Sequence, residues 1–286
     1  MASTTATTMA GYMERIQADA IGRFIVGSRF WPGIYPVASN NADVIQFPAV
    51  PPPSPVTSAT ADGDAITDSA KSAAAKTLIP VQIGDATKIS TRALLGGFGV
   101  RDANYAQMIN NVIGGADYII SGQLDDFTDA SNVIATASWS AFQVSISDLL
   151  DVGYGNDLVA ALSIRQWQLI LASAGSIVIP NINEKYFTSL DVFRIGGCDV
   201  LPCSSGLLRT DTNKVGAIWH RNFLGFGYHV GDTVSEIMQG TGSPAPLVHL
   251  KEVPVDVLLT NLSAAVLCNA TEIHASGGVA IKYALT

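Results

Sequence analysis

The stretch ANYAQMINNVIGGADYIISGQLDDF, residues 103–127, constrains the fold of this chain more than any other. Tyr105, Met108, Ile109, Val112, Ile113, Ala116, Ile120, Leu124 and Phe127 recur at three- and four-residue steps, which makes one apolar stripe along a helix. Asp102 stands where it can cap the first turn. At 1.5 Å per residue, about 25 residues make a rod of roughly 38 Å, longer than the average globular helix. Gly114 and Gly115 interrupt the stripe. Each costs about 1 kcal/mol in a helix interior, so the pair predicts a bend or a close approach of another backbone.

On the N-terminal side, residues 1–50 read as an arm. A Thr/Ala/Ser tail leads into GYMERIQADAIGRFIVGSRF, where Met13, Ile16, Ala20 and Phe24 fit a short helical stripe. Trp31, Tyr35 and Phe47 then fall among Pro32, Pro36 and Pro48, and these rings, with Phe24 and Phe30, need a surface to lie on. That surface is either this chain or a neighbour. Residues 48–76 are rich in proline and then in small polar residues. Pro51, Pro52 and Pro53 favour a stiff extended path, and Asp62-Gly63 is a turn signal. So long a stretch either joins domains or projects as a loop. Residues 77–100 return to strand-like text.

Beyond Asn132 the pattern is α+β. Ser145 with Asp148, and better Ser163 with Gln166, have capping-box spacing. The second opens SIRQWQLILAS, fed by a core strand over Leu158–Leu162. Further strands are expected at Val192–Ile195, Val200–Pro202, Val215–Trp219, Phe226–Val230, Thr233–Met238, Val255–Leu259 and Val279–Ala284, with a hairpin turn at Gly196-Gly197.

No motif supplies a chemical site. The chain has three cysteines, and GGCDVLPCSSG spaces two of them with four residues between and Pro202 beside the second. A redox pair needs two intervening residues at a helix start, and a zinc site needs four ligands in tight local pairs. Cys268, His220, His229, His249 and His274 are scattered. Cys198 and Cys203 are therefore expected to be small apolar packing residues beside a turn. GYGNDL lacks the spaced glycines of a dinucleotide loop, and GGFG and GFG lack the lysine of a phosphate loop. Asp125, Asp126 and Asp129 could face a metal, but the polar end of a helix explains them better. His274 in HASGG fits a turn better than a general base. No catalytic, cofactor-binding or metal residue is predicted.

Composition sharpens the exclusion. Charged residues are only 14% of the chain and hydrophobic residues 48%, a surface poor in charge that suits contact with copies of itself. The net charge of -8 disfavours a DNA-reading module. No apolar run is long enough for a spanning helix, and the start has no basic-then-apolar signal, so no membrane association is expected.

The order of these parts resembles the major capsid proteins of tailed bacteriophages, which have the HK97-like fold. The resemblance runs from about residue 12 to 284. It rests on the arm, the polar loop, ANYAQMINNVIGGADYIISGQLDD, DLVAALSIRQWQLILAS, RIGGCDVLPCSS, VGAIWHRNFLGFGYHV and ATEIHASGGVAIKYAL. It implies an N-terminal arm over 1–50 and an extended loop over 51–90. It also implies a peripheral domain with a spine helix over 91–135 and 233–286, and an axial domain over 136–232. It further implies self-assembly into pentamers and hexamers of an icosahedral capsid around double-stranded DNA, held non-specifically, within a virion assembled in the host cytoplasm. Arm and loop would cross to neighbouring subunits, which makes Phe24, Phe30, Trp31, Tyr35, Phe47, Pro52, Lys71 and Lys76 the candidate inter-subunit contacts. A separate scaffolding protein, a portal and a decoration protein are the partners implied. Some members join a loop lysine to a neighbour's asparagine; Lys71 and Lys76 match no such partner here, and no crosslink is expected. A nanocompartment shell around enzyme cargo, or an enzyme of unfamiliar α+β fold, are the alternatives.

Overall fold

Leu262, Ala264, Val266, Cys268 and Ala270 alternate with Asn261, Ser263, Ala265, Leu267 and Asn269, and this period of two builds the longest strand among the described residues. The computed structural model describes residues 15–16, 18–39, 44–48, 75–95, 98–127, 138–151, 155, 157–174, 193–195, 197–204, 206–208, 214–230, 246–256 and 258–283. Helical backbone over 15–16 and 18–27 (α1) is followed by β1 (Tyr35–Ser39), β2 (Ile45–Pro48), β3 (Ala75–Leu78) and β4 (Val81–Ser90). Next come α2 (Thr91–Leu95), α3 (Phe98–Gly122), α4 (Trp139–Asp151), β5 (Leu158–Ser163) and α5 (Ile164–Ala174). The chain continues through β6 (Phe193–Ile195), β7 (Cys198–Cys203), β8 (Lys214–His220), β9 (Leu224–His229), β10 (His249–Asp256), β11 (Leu259–Glu272) and β12 (Gly278–Tyr283).

These elements fall into two units, one of residues 1–45, 78–122 and 225–271, the other of 46–77, 123–224 and 272–286. In the first, the sheet runs β1-β9-β11-β10, with β4 on the other side of β11. β1 lies parallel to β9, whereas β10 and β4 are antiparallel to β11. The alternate residues of β11 are buried. α3 lies along β4: a Cβ added to Gly115 would come within 2.7 Å of Ile83 Cγ2, so this glycine makes room for a β4 side chain rather than for another backbone, while Gly114 faces open space. Asn111 Nδ2 donates to Asp85 Oδ2 at 2.7 Å on the same contact.

The expected long helix is present but starts earlier and stops sooner. It begins at Phe98, so Asp102 lies inside it rather than capping it, and it pairs with Arg15 at 3.7 Å. No proline stands between Phe98 and Asp102, and the one glycine, Gly99, sits in the first turn, so the helix extends back to Phe98, each added residue contributing a hydrogen bond. All nine stripe residues are buried, although Leu124 and Phe127 follow the helix end at Gly122.

The second unit holds the sheet β12-β8-β5-β7-β6. β5 is buried at every position because it is central, parallel to β7 and antiparallel to β8. The hairpin turn between β6 and β7 is where the sequence places it, with Ile195 opposite Cys198 and Gly197 at φ 87°, a conformation that glycine adopts without strain. β12 pairs with β8. The closing strand therefore belongs with this sheet, and not with the peripheral domain expected over 233–286. Alternation identifies a strand but not its partner. The expected strand at Val255–Leu259 is also corrected: β10 ends at Asp256, the chain turns at Leu258, and β11 starts at Leu259. Of the expected extended loop over 51–90, residues 81–90 are β4; the expected strand at Thr233–Met238 lies outside the described residues.

Two helix starts test the capping signals. Ser163 Oγ accepts from Gln166 N at 3.2 Å while Gln166 Oε1 accepts from Ser163 N at 2.8 Å, a reciprocal box at the head of α5. Ser145 is not a cap. It lies inside α4 and donates to Ala141 O at 3.2 Å, and the helix is capped by Ser138, whose Oγ accepts from Ala141 N at 3.3 Å. Ser163→Ala is expected to lower stability by about 1 kcal/mol, and Ser145→Ala by only a few tenths, as read from urea midpoints.

Candidate assembly surfaces

The arm is built on its own stripe. Ile16, Ala20 and Phe24, four residues apart, are buried, and Ser28 N donates to Phe24 O at 3.0 Å to close the helix. Asp117 of α3 receives the chain where it leaves α1: Ser28 Oγ donates to its Oδ1 and Arg29 N to its Oδ2 at 2.9 Å. Burial pushes this carboxyl up to about 6, against the opposing pull of those hydrogen bonds.

Trp31 opens a 3-10 turn with Pro32 in its first positions. Its ring lies edge-on to Phe24 at 5.9 Å and to Phe226 at 6.3 Å, with Tyr228 at 6.2 Å. Phe24, Phe30 and Phe47 are fully buried by this chain itself. Of the two surfaces left open for these rings, this chain supplies the one seen here, and for Phe24 it comes from β9 through Phe226. Trp31 is half-buried, and Tyr35 stays 38% exposed on β1. Lys76 pairs with Glu272 at 2.6 Å. Pro52 and Lys71 lie outside the described residues. Given the aromatic cluster, Trp31→Ala is expected to destabilise the subunit itself by about 2–3 kcal/mol, seen as a lower urea midpoint.

A surface that the sequence reading did not single out lies where β10 turns into β11. Val253, Val255, Leu258 and Leu259 are all exposed there, Leu258 by 71%. Val26 of α1 and Ile79 between β3 and β4 are also bare. The run VPVDVLL carried the signal, because apolar residues on an edge strand beside Pro254 have little of their own chain to cover them.

The chemical candidates stay apart. Cys198 and Cys203 occupy opposite ends of β7, both buried and neither in a disulfide. Five strand steps separate them by about 16 Å, beyond any disulfide. Burial pushes the Cys268 thiol up to about 12, with the Asp117 charge adding to it. His220 and His274 both lie against Phe223, at 5.4 and 6.0 Å. His274 Nδ1 is 2.7 Å from Ser276 Oγ, and burial lowers the pKa of His220. Asp125 is exposed beyond α3, and burial raises Asp126 with help from Glu272 and Asp125; Asp129 lies outside the described residues. Among the described residues no three His, Cys, Asp or Glu side chains are grouped to hold a metal, and no helix is long and apolar enough to cross a membrane.

No protein-family model matches the sequence, and no curated protein matches it. The fold does have solved counterparts. The head structure of Helicobacter pylori bacteriophage KHP40 matches with a TM-score of 0.61 at 11% identity, over 91% of this chain and 91% of that one. The capsid of Ralstonia phage GP4 matches at 0.60 and 10% identity, over 88% and 87%. A virus-like particle from Pyrococcus furiosus matches at 0.57 and 8% identity, over 94% and 98%. At such identities the likeness is one of fold. The chain has the mixed α+β architecture of phage-head and virus-like-particle proteins, consistent with the HK97-like fold.

Proposed function

We propose that this chain is a non-enzymatic shell protein that assembles with copies of itself into pentamers and hexamers of an icosahedral capsid enclosing double-stranded DNA. The observation that carries the reading is the fold likeness to phage heads and capsids, which spans about nine-tenths of the chain. The low charge content and the bare apolar residues at the β10–β11 turn support it, because a subunit that meets copies of itself can cover them. Long α3 serves as the spine of the subunit. Residues 51–74 cross to a neighbour, with Tyr35, Pro52 and Lys71 among the contacts. A net charge of -8 suits a container that holds DNA without gripping it. The particle is a virion, assembled in the host cytoplasm with a separate scaffolding protein, a portal and a decoration protein as partners.

A second reading keeps the shell and changes its contents. The match to the Pyrococcus furiosus virus-like particle, over 98% of that chain, favours a shell with no genome inside. Nuclease-treated particles from the native source separate the two. Protected double-stranded DNA of one defined length supports the capsid, and particles with protein cargo and no nucleic acid support the second reading. A chain found there only as a free subunit contradicts both.

A further inference from the structure

We infer that the junction of Ser28, Arg29 and Phe30 with Asp117 is an acid-tightened latch, which holds the arm on α3 more firmly with a proton on the carboxyl than without one. The inference concerns the single subunit and does not depend on the shell reading.

Asp117 is 3% exposed, and what it touches is neutral: the Ser28 hydroxyl and the backbone amides of Arg29 and Phe30. The charged and titratable groups facing it are Arg29 on the arm, which acts at longer range, and Cys268 on β11. The Cys268 thiol, pushed up to about 12, stays neutral below pH 8. An ionised carboxylate here has exchanged water for dipoles alone, and that burial is costly. A proton removes the cost without breaking the junction. The carboxyl O–H can donate to Ser28 Oγ while the other oxygen still accepts from Arg29 N. When the arm lifts, Asp117 meets water and returns towards its ordinary acidity.

The direction follows by linkage. The attached carboxyl lies near 6 and the solvated one near 3.8. The extra hold is complete below the lower value, declines as pH rises between the two, and is lost above the higher one. Each pH unit in that window changes the opening constant by up to tenfold.

Hydrogen exchange of the full-length chain, resolved at the Arg29 and Phe30 amides and corrected for intrinsic rates, tests the latch from pH 4 to 7.5. Opening is expected to increase by about one to two orders of magnitude between pH 4 and 6 and then to level off. Core amides of α3 around Val112 serve as the reference for global unfolding. In Asp117→Asn, which keeps an acceptor for Arg29 and a donor for Ser28, the dependence should vanish. An equal pH dependence in Asp117→Asn, or protection in the wild type that is flat or grows with pH, overturns the latch. The carbon-13 carboxyl shift of Asp117 needs no variant: a midpoint near pH 6 supports the inference, and one below about 4.5 overturns it.

Discussion

Deletion of residues 55–72 is expected to leave a folded subunit that no longer closes into a shell. β2 and β3 pair with each other on either side of this stretch. After the deletion, residues 49–54 and 73–74 still join Pro48 to Ala75. About eight residues reach up to ~26 Å, enough to connect paired strands. The stretch removed is acidic, polar and rich in small residues, and has little apolar surface to contribute to a core. Crossing to a neighbour gives it work instead, since apolar contact contributes about 25 cal/mol per Å² before ordering costs. Circular dichroism and a urea midpoint close to wild type, with closed particles lost, is the expected result. Normal particles of normal stability, or a chain that cannot fold, would each contradict the role assigned to these residues.

Trp167→Ala is expected to have the largest effect on the subunit itself. Trp167 is fully buried on α5 and meets Phe142 of α4 edge-on at 5.8 Å. The α4–α5 contact also includes Trp139 N donating to Ser173 Oγ at 2.7 Å. Truncating a buried Trp leaves a cavity that helices tied in this way cannot easily close, so a loss of about 3–5 kcal/mol is expected. Trp167→Phe, which keeps a ring against Phe142, should lose less than half of that. Guanidinium or thermal unfolding of the two variants beside wild type checks both values. Equal, small losses would show that the two helices are not packed as described.

Local signals in the sequence were legible where the local chain decides the outcome. The stripe from Tyr105 to Phe127 marks its buried face, Ser163 with Gln166 marks a helix start, and Gly196-Gly197 marks a hairpin. The misreadings have a shared cause, which is that their answers lie in partners far along the chain. β11 was overlooked because its buried positions include Ala264, Cys268 and Ala270, small side chains among serines and asparagines that look like loop until β4 and β10 flank them. The surface under the arm rings stayed open between this chain and a neighbour because nothing in residues 15–39 points to Phe226 and Tyr228. Asp117 is hidden in the same way. It follows Ala116 of the stripe, and only the arm folded over it turns an ordinary helix carboxylate into a buried junction. For the assembly surface, VPVDVLL was readable as apolar, but its exposure depends on the turn at Leu258.

The account stands or falls on self-assembly, and electron microscopy of the purified protein, concentrated with and without the scaffolding partner proposed for it, measures it directly. Closed particles of uniform size, with fivefold and sixfold clusters of subunits on their surface, are the predicted result. A subunit that stays monomeric at every concentration and salt, with or without that partner, would contradict it.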